Sequence, residues 1–166
     1  MRRLLFFLIA VMVSTNAFAQ TQTAGQVDDT FWKEKVDTST DWGKWLTSLK
    51  PYWDKFGEAT TEMSLSATHI NPIGLTPQEM LVKVNAGYVV YYKAIQKITP
   101  PEELKNYHAI ILNEFAEIAQ KVPTNQQQAQ QIEAIIEKSN NEATKELVQV
   151  FIHHGVPQNI IDEFTK

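Results

Sequence analysis

Three segments of the chain open with the same pattern, a threonine followed three residues later by glutamate or glutamine. The pairs are Thr76 with Glu79, Thr99 with Glu102, and Thr124 with Gln127. In this arrangement, the capping box, the two side chains satisfy backbone N–H groups that the first turn of an α-helix leaves unpaired. In the first two segments a proline follows the threonine and suits the first helical position. The pattern therefore predicts three helix starts.

The apolar residues between these starts recur with the spacing of an α-helix. We predict four long helices, over about residues 41–68, 77–98, 100–122 and 125–154. The apolar stripe of the first helix continues through Pro51, which favours a kink there over a helix boundary. The stripe of the third helix runs from Leu104 to Val122.

Short connections between long helices make consecutive helices antiparallel neighbours. The sequence therefore predicts an all-α fold, an antiparallel up-down-up-down four-helix bundle with a kinked first helix. Short helical turns are expected at each end of the domain, over residues 29–36 and after Pro157. Residues 28–166 are expected to form this single domain.

The first residues of the chain have the pattern of an export signal. Arg2 and Arg3 precede the apolar run LLFFLIAVMV, and the small-residue exit Ala17-Phe18-Ala19 follows it. We predict a signal peptide over residues 1–19 and a flexible leader over residues 20–27. The expected location is a bacterial periplasm or the secreted fraction, with no membrane insertion after cleavage.

Charge and composition exclude several classes of function. Loss of Arg2 and Arg3 with the signal peptide leaves 13 of the 15 basic residues against 19 acidic ones, so the net charge changes from −4 to −6. Nucleic acids and anionic membranes are therefore not expected partners. The chain has no cysteine, which excludes disulfides, thiol chemistry, Fe–S clusters and covalently attached haem.

Three of the four histidines suggest a metal site at one end of the bundle. His153 and His154 lie at the end of the fourth helix, and His108 lies near the start of the third. A metal site would join these histidines, with Glu103 or Asp41 as a further ligand, and a non-covalent haem held by His108 and His154 is a related alternative. In the structural interpretation, histidines in the last turn complement the helix dipole, and Gly155 ends the helix in the left-handed conformation.

The four tryptophans lie close together in the sequence. Trp42, Trp45 and Trp53 belong to the apolar stripe of the first helix, which predicts that they are core residues. Trp32 precedes that helix and either covers the end of the bundle or forms part of an interaction patch. An interior site for a small molecule is a further possibility, between Trp45 and the tyrosines Tyr88, Tyr91 and Tyr92.

Two short segments resemble known groups of proteins. The segment TPPEELKNYHAIILNEFAEIA, residues 99–119, resembles a helix entry of small exported or lipid-anchored bacterial helical proteins of unknown function, and the likeness implies location and fold. It is carried by Pro100, Pro101, Glu103, Leu104 and His108. The segment GLTPQEM, residues 74–80, is similar to the LTxxQ motif of periplasmic helical chaperones, with Glu79 at the final position of the motif. That likeness implies a chaperone-like or envelope-stress role.

The chain contains no catalytic or phosphate-binding motif that the sequence alone reveals. We therefore expect a non-enzymatic binding or interaction protein without a required cofactor. Its partner is expected to be another envelope protein or a small ligand. The metal- or haem-binding bundle and the chaperone-like protein are the alternatives.

Overall fold

The computed structural model describes residues 29–68 and 75–165. The predicted signal peptide, the predicted leader and residues 69–74 of the first connection lie outside the described residues. Within the two described ranges every regular element is helical and no strand occurs, which confirms the all-α class. None of the helices in these ranges combines the length and the apolar character that are needed to cross a membrane.

Seven α-helices follow one another in the described residues. They are α1 (Asp29–Glu34), α2 (Asp41–Ser48), α3 (Lys50–Thr68), α4 (Pro77–Ile95), α5 (Lys105–Ala119), α6 (Gln126–His153) and α7 (Gln158–Phe164), with a 3₁₀ turn at Glu102–Leu104 before α5. The most extensive contacts join α3 to α4, α4 to α5, and α5 to α6. The two predicted short helical turns correspond to α1 and α7.

The prediction of one kinked helix over residues 41–68 needs correction, because the structure has a boundary at Leu49. Pro51 has no N–H group to donate to the carbonyl of Thr47, and its ring would clash with that turn of a continuous helix. The N–H of Leu49 instead donates to the carbonyl of Leu46 at 3.1 Å, and that of Tyr52 donates to Leu49 at 2.9 Å. Each of these bonds spans three residues, as in a 3₁₀ turn, and not the four of an α-helix. They mark the end of α2 and the start of α3.

The predicted capping box at Thr76 is confirmed. The backbone N–H of Thr76 donates to Oε2 of Glu79 at 2.7 Å, and the N–H of Glu79 donates to Oγ1 of Thr76 at 3.3 Å. Pro77 is the first residue of α4, as the sequence indicated. This helix start is therefore built as the pattern describes.

The predicted capping box at Thr99 does not form, and that prediction was wrong. The 3₁₀ turn begins at Glu102, and its N-cap residue is Pro101, which makes no side-chain capping bond. The reason is the Pro-Pro pair. Because a residue before proline is disfavoured from helical angles, Pro100 cannot serve as the first helical residue.

The third helix start lies one residue later than predicted. Asn125 is the N-cap of α6, and its side chain accepts a hydrogen bond from the N–H of Gln128 at 3.0 Å. Asparagine caps at least as well as threonine, so the backbone can use it in place of Thr124. The N–H of Thr124 donates to Oε1 of Gln128 at 2.7 Å, so the donor is the predicted one and the acceptor lies one residue later than predicted.

One apolar core joins the helices. Its fully buried side chains include Trp53, Tyr91, Phe115, Phe151, Leu46, Ile95 and Leu147. The helix α7 adds Ile160, Ile161 and Phe164 to this core. Val122 is 43% exposed, contrary to its place in the predicted stripe, because α5 has already ended at Ala119.

The end of α6 is formed by a Schellman motif. Gly155 has a φ of +71°, and its N–H donates to the carbonyl of Ile152 at 3.0 Å. The N–H of Val156 donates to the carbonyl of Phe151 at 3.0 Å, and the Val156 side chain is buried. The left-handed glycine that the sequence predicted is therefore present, and it places His154 at the C-cap of α6.

Candidate functional site

His108 lies inside the protein, facing α3. Its side chain is 6% exposed, and its Nδ1 atom is 3.2 Å from the hydroxyl oxygen of Tyr52. The ring of Phe56 meets the imidazole edge-to-face at 5.7 Å. Burial lowers the pKa of His108, so the neutral imidazole is favoured. The ring is therefore held by residues of α3.

The other two candidate histidines lie together at the end of α6. Their rings are 5.3 Å apart, and the imidazole of His154 also stacks on the indole of Trp45. Burial and the neighbouring His153 lower the pKa of His154, and the charge of Glu103 partly opposes them. The electrostatic effect of Glu103 on His154 indicates that this carboxylate lies near the end of α6.

The structure gives the histidines different partners. His108 contacts Tyr52 and Phe56, whereas His154 contacts Trp45 and His153. In residues 29–68 and 75–165, no three histidine, aspartate or glutamate side chains form a group that could hold a metal ion. The metal and haem hypotheses stay predictions, and they gain no support from this geometry.

Trp32, the candidate interaction residue, is buried. Its side chain is 8% exposed, and its ring meets those of Phe31 and Phe164 in edge-to-face contacts at 5.7 and 6.2 Å. Because Phe164 belongs to α7, Trp32 joins the first and last helices of the described chain. This placement favours a packing role for Trp32 over a place in an interaction patch.

Sequence reasoning missed the most unusual side chain of the interior, Glu114 on α5. It is 2% exposed, and neither carboxylate oxygen has a hydrogen-bond partner among the described residues. Burial raises the pKa of Glu114 to about 8. The sequence did contain a signal, because Ile111 and Ile118 lie three residues before and four residues after Glu114 and share the buried face of α5.

Polar residues of three helices form a connected group that includes Glu114. Burial is the main cause that raises the pKa values of Tyr107 and Tyr91, and the nearby charge of Glu114 raises them further. Thr60 of α3 lies within hydrogen-bonding reach of the Tyr91 hydroxyl. The Trp53 ring meets Tyr107 at 5.5 Å, and its buried Nε1 atom has no partner among the described residues. We call these five residues the Glu114 cluster.

The Glu114 cluster contains several groups that form hydrogen bonds and one that can carry a charge. It offers a carboxyl group, two phenol groups, a hydroxyl group and an indole N–H, all within an apolar interior. A buried polar group without a partner costs about 1–3 kcal/mol, and more if it is charged. Native proteins therefore pair nearly all such groups with protein, water or ligand. An unpaired buried carboxyl group is an exception that calls for an explanation, and a buried acid with a raised pKa is a candidate for a functional site.

The sequence matches no protein-family model, and neither the curated proteins nor the solved structures yielded a match.

Proposed function

We propose that this protein is an exported, non-enzymatic helical bundle that binds a small ligand in its interior, at the Glu114 cluster. The observation that carries the proposal is the carboxyl group of Glu114, which is 2% exposed and has no partner for either oxygen among the described residues. A ligand in contact with this group would supply the missing hydrogen bonds.

The packing of the helices supports an interior site. We propose an up-down-up-down bundle with four antiparallel layers. The layers are α2 together with α3, then α4, then α5, and then α6. The contacts between consecutive helices agree with this order. Bundles build their ligand sites in the core from side chains on facing helices. The Glu114 cluster has this origin, since Trp53 and Thr60 come from α3, Tyr91 from α4, and Tyr107 and Glu114 from α5.

Export rests on the N-terminal sequence pattern, and the proposed location is the periplasm or the secreted fraction. The proposal that the protein binds a ligand and does not catalyse a reaction rests on the composition of the Glu114 cluster. It combines one acid with phenol, hydroxyl and indole groups and contains no histidine or lysine that would work with that acid in proton transfer.

The proposal is tested by looking for a ligand that accompanies the protein. The protein is purified from the compartment into which it is exported and its mass is measured under native and denaturing conditions. We expect an excess native mass that disappears on denaturation, and a small molecule in the extract. The Glu114→Gln variant should no longer carry this small molecule. The matched control, Glu117→Gln, changes an exposed glutamate of the same helix that pairs with Lys121, and it should retain the ligand.

A native mass that equals the mass of the polypeptide in every preparation would contradict the proposal. Elemental analysis and a visible spectrum of the same sample test the alternative of a metal- or haem-binding bundle that uses His108 and His154. Stoichiometric metal or a haem spectrum that is lost in His154→Ala would favour that alternative.

A further inference from the structure

The Glu114 cluster also indicates which chemical class of ligand it takes, an inference that rests on the proposed function. We infer that the ligand is a small organic ammonium ion, whose N–H groups pair with the carboxylate of Glu114 among the aromatic side chains of Tyr91, Tyr107 and Trp53.

In its ionised form Glu114 would need a partner that the described residues do not supply. The ion pairs of the lysines are on the surface, with lysine side chains between 31% and 77% exposed. The sequence contains no arginine apart from Arg2 and Arg3, which belong to the predicted signal peptide. A buried carboxylate is stable only when it is paired or neutralised. A cationic ligand provides the pairing, whereas an anionic ligand would be repelled.

The surroundings of Glu114 suit an organic cation better than a metal ion. Aromatic rings attract ammonium groups through their negative faces, and phenol oxygens accept hydrogen bonds. Metal ions of the magnesium or calcium type need several oxygen ligands, and the described residues form no group of three acidic or histidine ligands. The net charge of −4 additionally favours the approach of cations over anions.

Packing limits the size of the ligand. The rings of Tyr91 and Phe115 are 4.5 Å apart, and those of Trp53 and Tyr107 are 5.5 Å apart, which are contact distances. A ligand must displace some of these side chains when it enters. We therefore expect it to be no larger than one or two side chains.

Ligand binding has a defined proton balance. At pH 7 most Glu114 side chains carry a proton, because burial raises the pKa of this group to about 8. When a protonated amine binds, the carboxyl group becomes a carboxylate and its proton leaves to the solvent. Tyr91 and Tyr107, the titratable neighbours that face Glu114, have raised pKa values and stay neutral throughout. Binding should therefore release about one proton for each amine bound.

The test uses two sets of probes of matched shape. One set is phenethylamine, 2-phenylethanol and phenylacetate, and the other is butylamine, butanol and butyrate. Titration calorimetry at pH 7 in phosphate and in MOPS, which differ in ionisation enthalpy and carry no primary ammonium group, measures both affinity and proton release. We expect at least one amine to bind the full-length exported protein at least tenfold more tightly than its alcohol and acid analogues, with release of about one proton.

The variants separate the possible outcomes. Glu114→Gln should weaken amine binding at least tenfold, and Glu117→Gln should leave it unchanged. Far-ultraviolet circular dichroism verifies that both variants are folded. Equal binding of the alcohol, equal binding by Glu114→Gln, or no binding of any amine to the wild type would overturn the inference. If the molecule that copurifies in a Glu114-dependent manner is neutral or anionic, the proposed function stands and the ammonium assignment fails.

Discussion

The imidazole of His154 lies flat on the indole of Trp45, with ring centroids 3.8 Å apart and an angle of 6° between the rings. His154 ends α6 and Trp45 belongs to α2, so the stack joins the end of the last long helix to the first part of the core. Phe151 supports the same indole from α6, with an edge-to-face contact at 5.8 Å. Of the adjacent residues His153 and His154, it is therefore His154 that packs against the core.

Removal of this stack should destabilise the protein by a measurable amount. Aromatic pairs contribute about 0.5–1.5 kcal/mol beyond the area that they bury. We expect His154→Ala to lower the free energy of unfolding in urea by about 1 kcal/mol at pH 8. His153→Ala, at the exposed neighbouring position, should change it by less than about 0.5 kcal/mol. A double-mutant cycle with Trp45→Ala that shows no coupling would argue against the stack.

Two of the three threonines in the predicted capping boxes, Thr76 and Thr99, should behave differently when they are replaced by alanine. Thr76 accepts a hydrogen bond from the N–H of Glu79, and Thr99 caps no helix. We expect Thr76→Ala to lower the free energy of unfolding by about 1 kcal/mol. Thr99→Ala should stay within about 0.5 kcal/mol of the wild type. Equal losses in the two variants, measured by urea unfolding, would contradict the helix start at Glu102.

Substitutions of Gly155 should change the stability of the protein only through the backbone conformation that this position requires. Its φ is +71°, and a Cβ atom at this position would meet nothing within 4 Å. We therefore expect Gly155→Ala to cost about 1–2 kcal/mol through strain of the left-handed conformation. Gly155→Asn should cost less, because asparagine adopts this conformation more readily. Thermal and urea unfolding of the two variants provide the comparison, and an alanine variant as stable as the wild type would refute the strain.

Glu114 should make stability depend on pH. The folded carboxyl group has a pKa of about 8, above that of an unfolded chain, so the folded state binds its proton more tightly. Its stabilising contribution is complete at acid pH and is lost as the pH rises through 8. Relative to Glu114→Gln, the wild type should lose about 1.4 kcal/mol of unfolding free energy per pH unit between pH 5 and 8. If the unfolding free energies of the two proteins changed in parallel with pH, Glu114 could not be buried and unpaired.

The sequence predicted the long helices well because their apolar spacing and their end residues depend on local geometry. Its errors arose where two local rules compete. At Thr99 the capping pattern favoured a helix start that the following Pro100-Pro101 pair forbids, and at Pro51 the continuous stripe hid a boundary. Each of these conflicts is resolved by the geometry of proline.

The site was harder to predict than the fold. A glutamate in a helix usually faces solvent, so Glu114 was not recognised although its spacing from Ile111 and Ile118 places it on the buried face. The partnership between Tyr52 and His108 joins residues 56 positions apart and depends on how α3 and α5 face each other. Hydrophobic periodicity determines which face of a helix is buried but not which residue of another helix it meets.

The protonation state of the Glu114 carboxyl group can be measured directly. The ¹³C chemical shift of that carboxyl carbon, assigned by comparison with Glu114→Gln, is followed between pH 4 and 10 with and without a saturating amine. We predict a pKa of about 8 in the free protein and a clearly lower pKa in the complex, because the ammonium group stabilises the carboxylate. An ordinary glutamate pKa in the free protein, or a raised pKa that the amine does not change, would contradict the account.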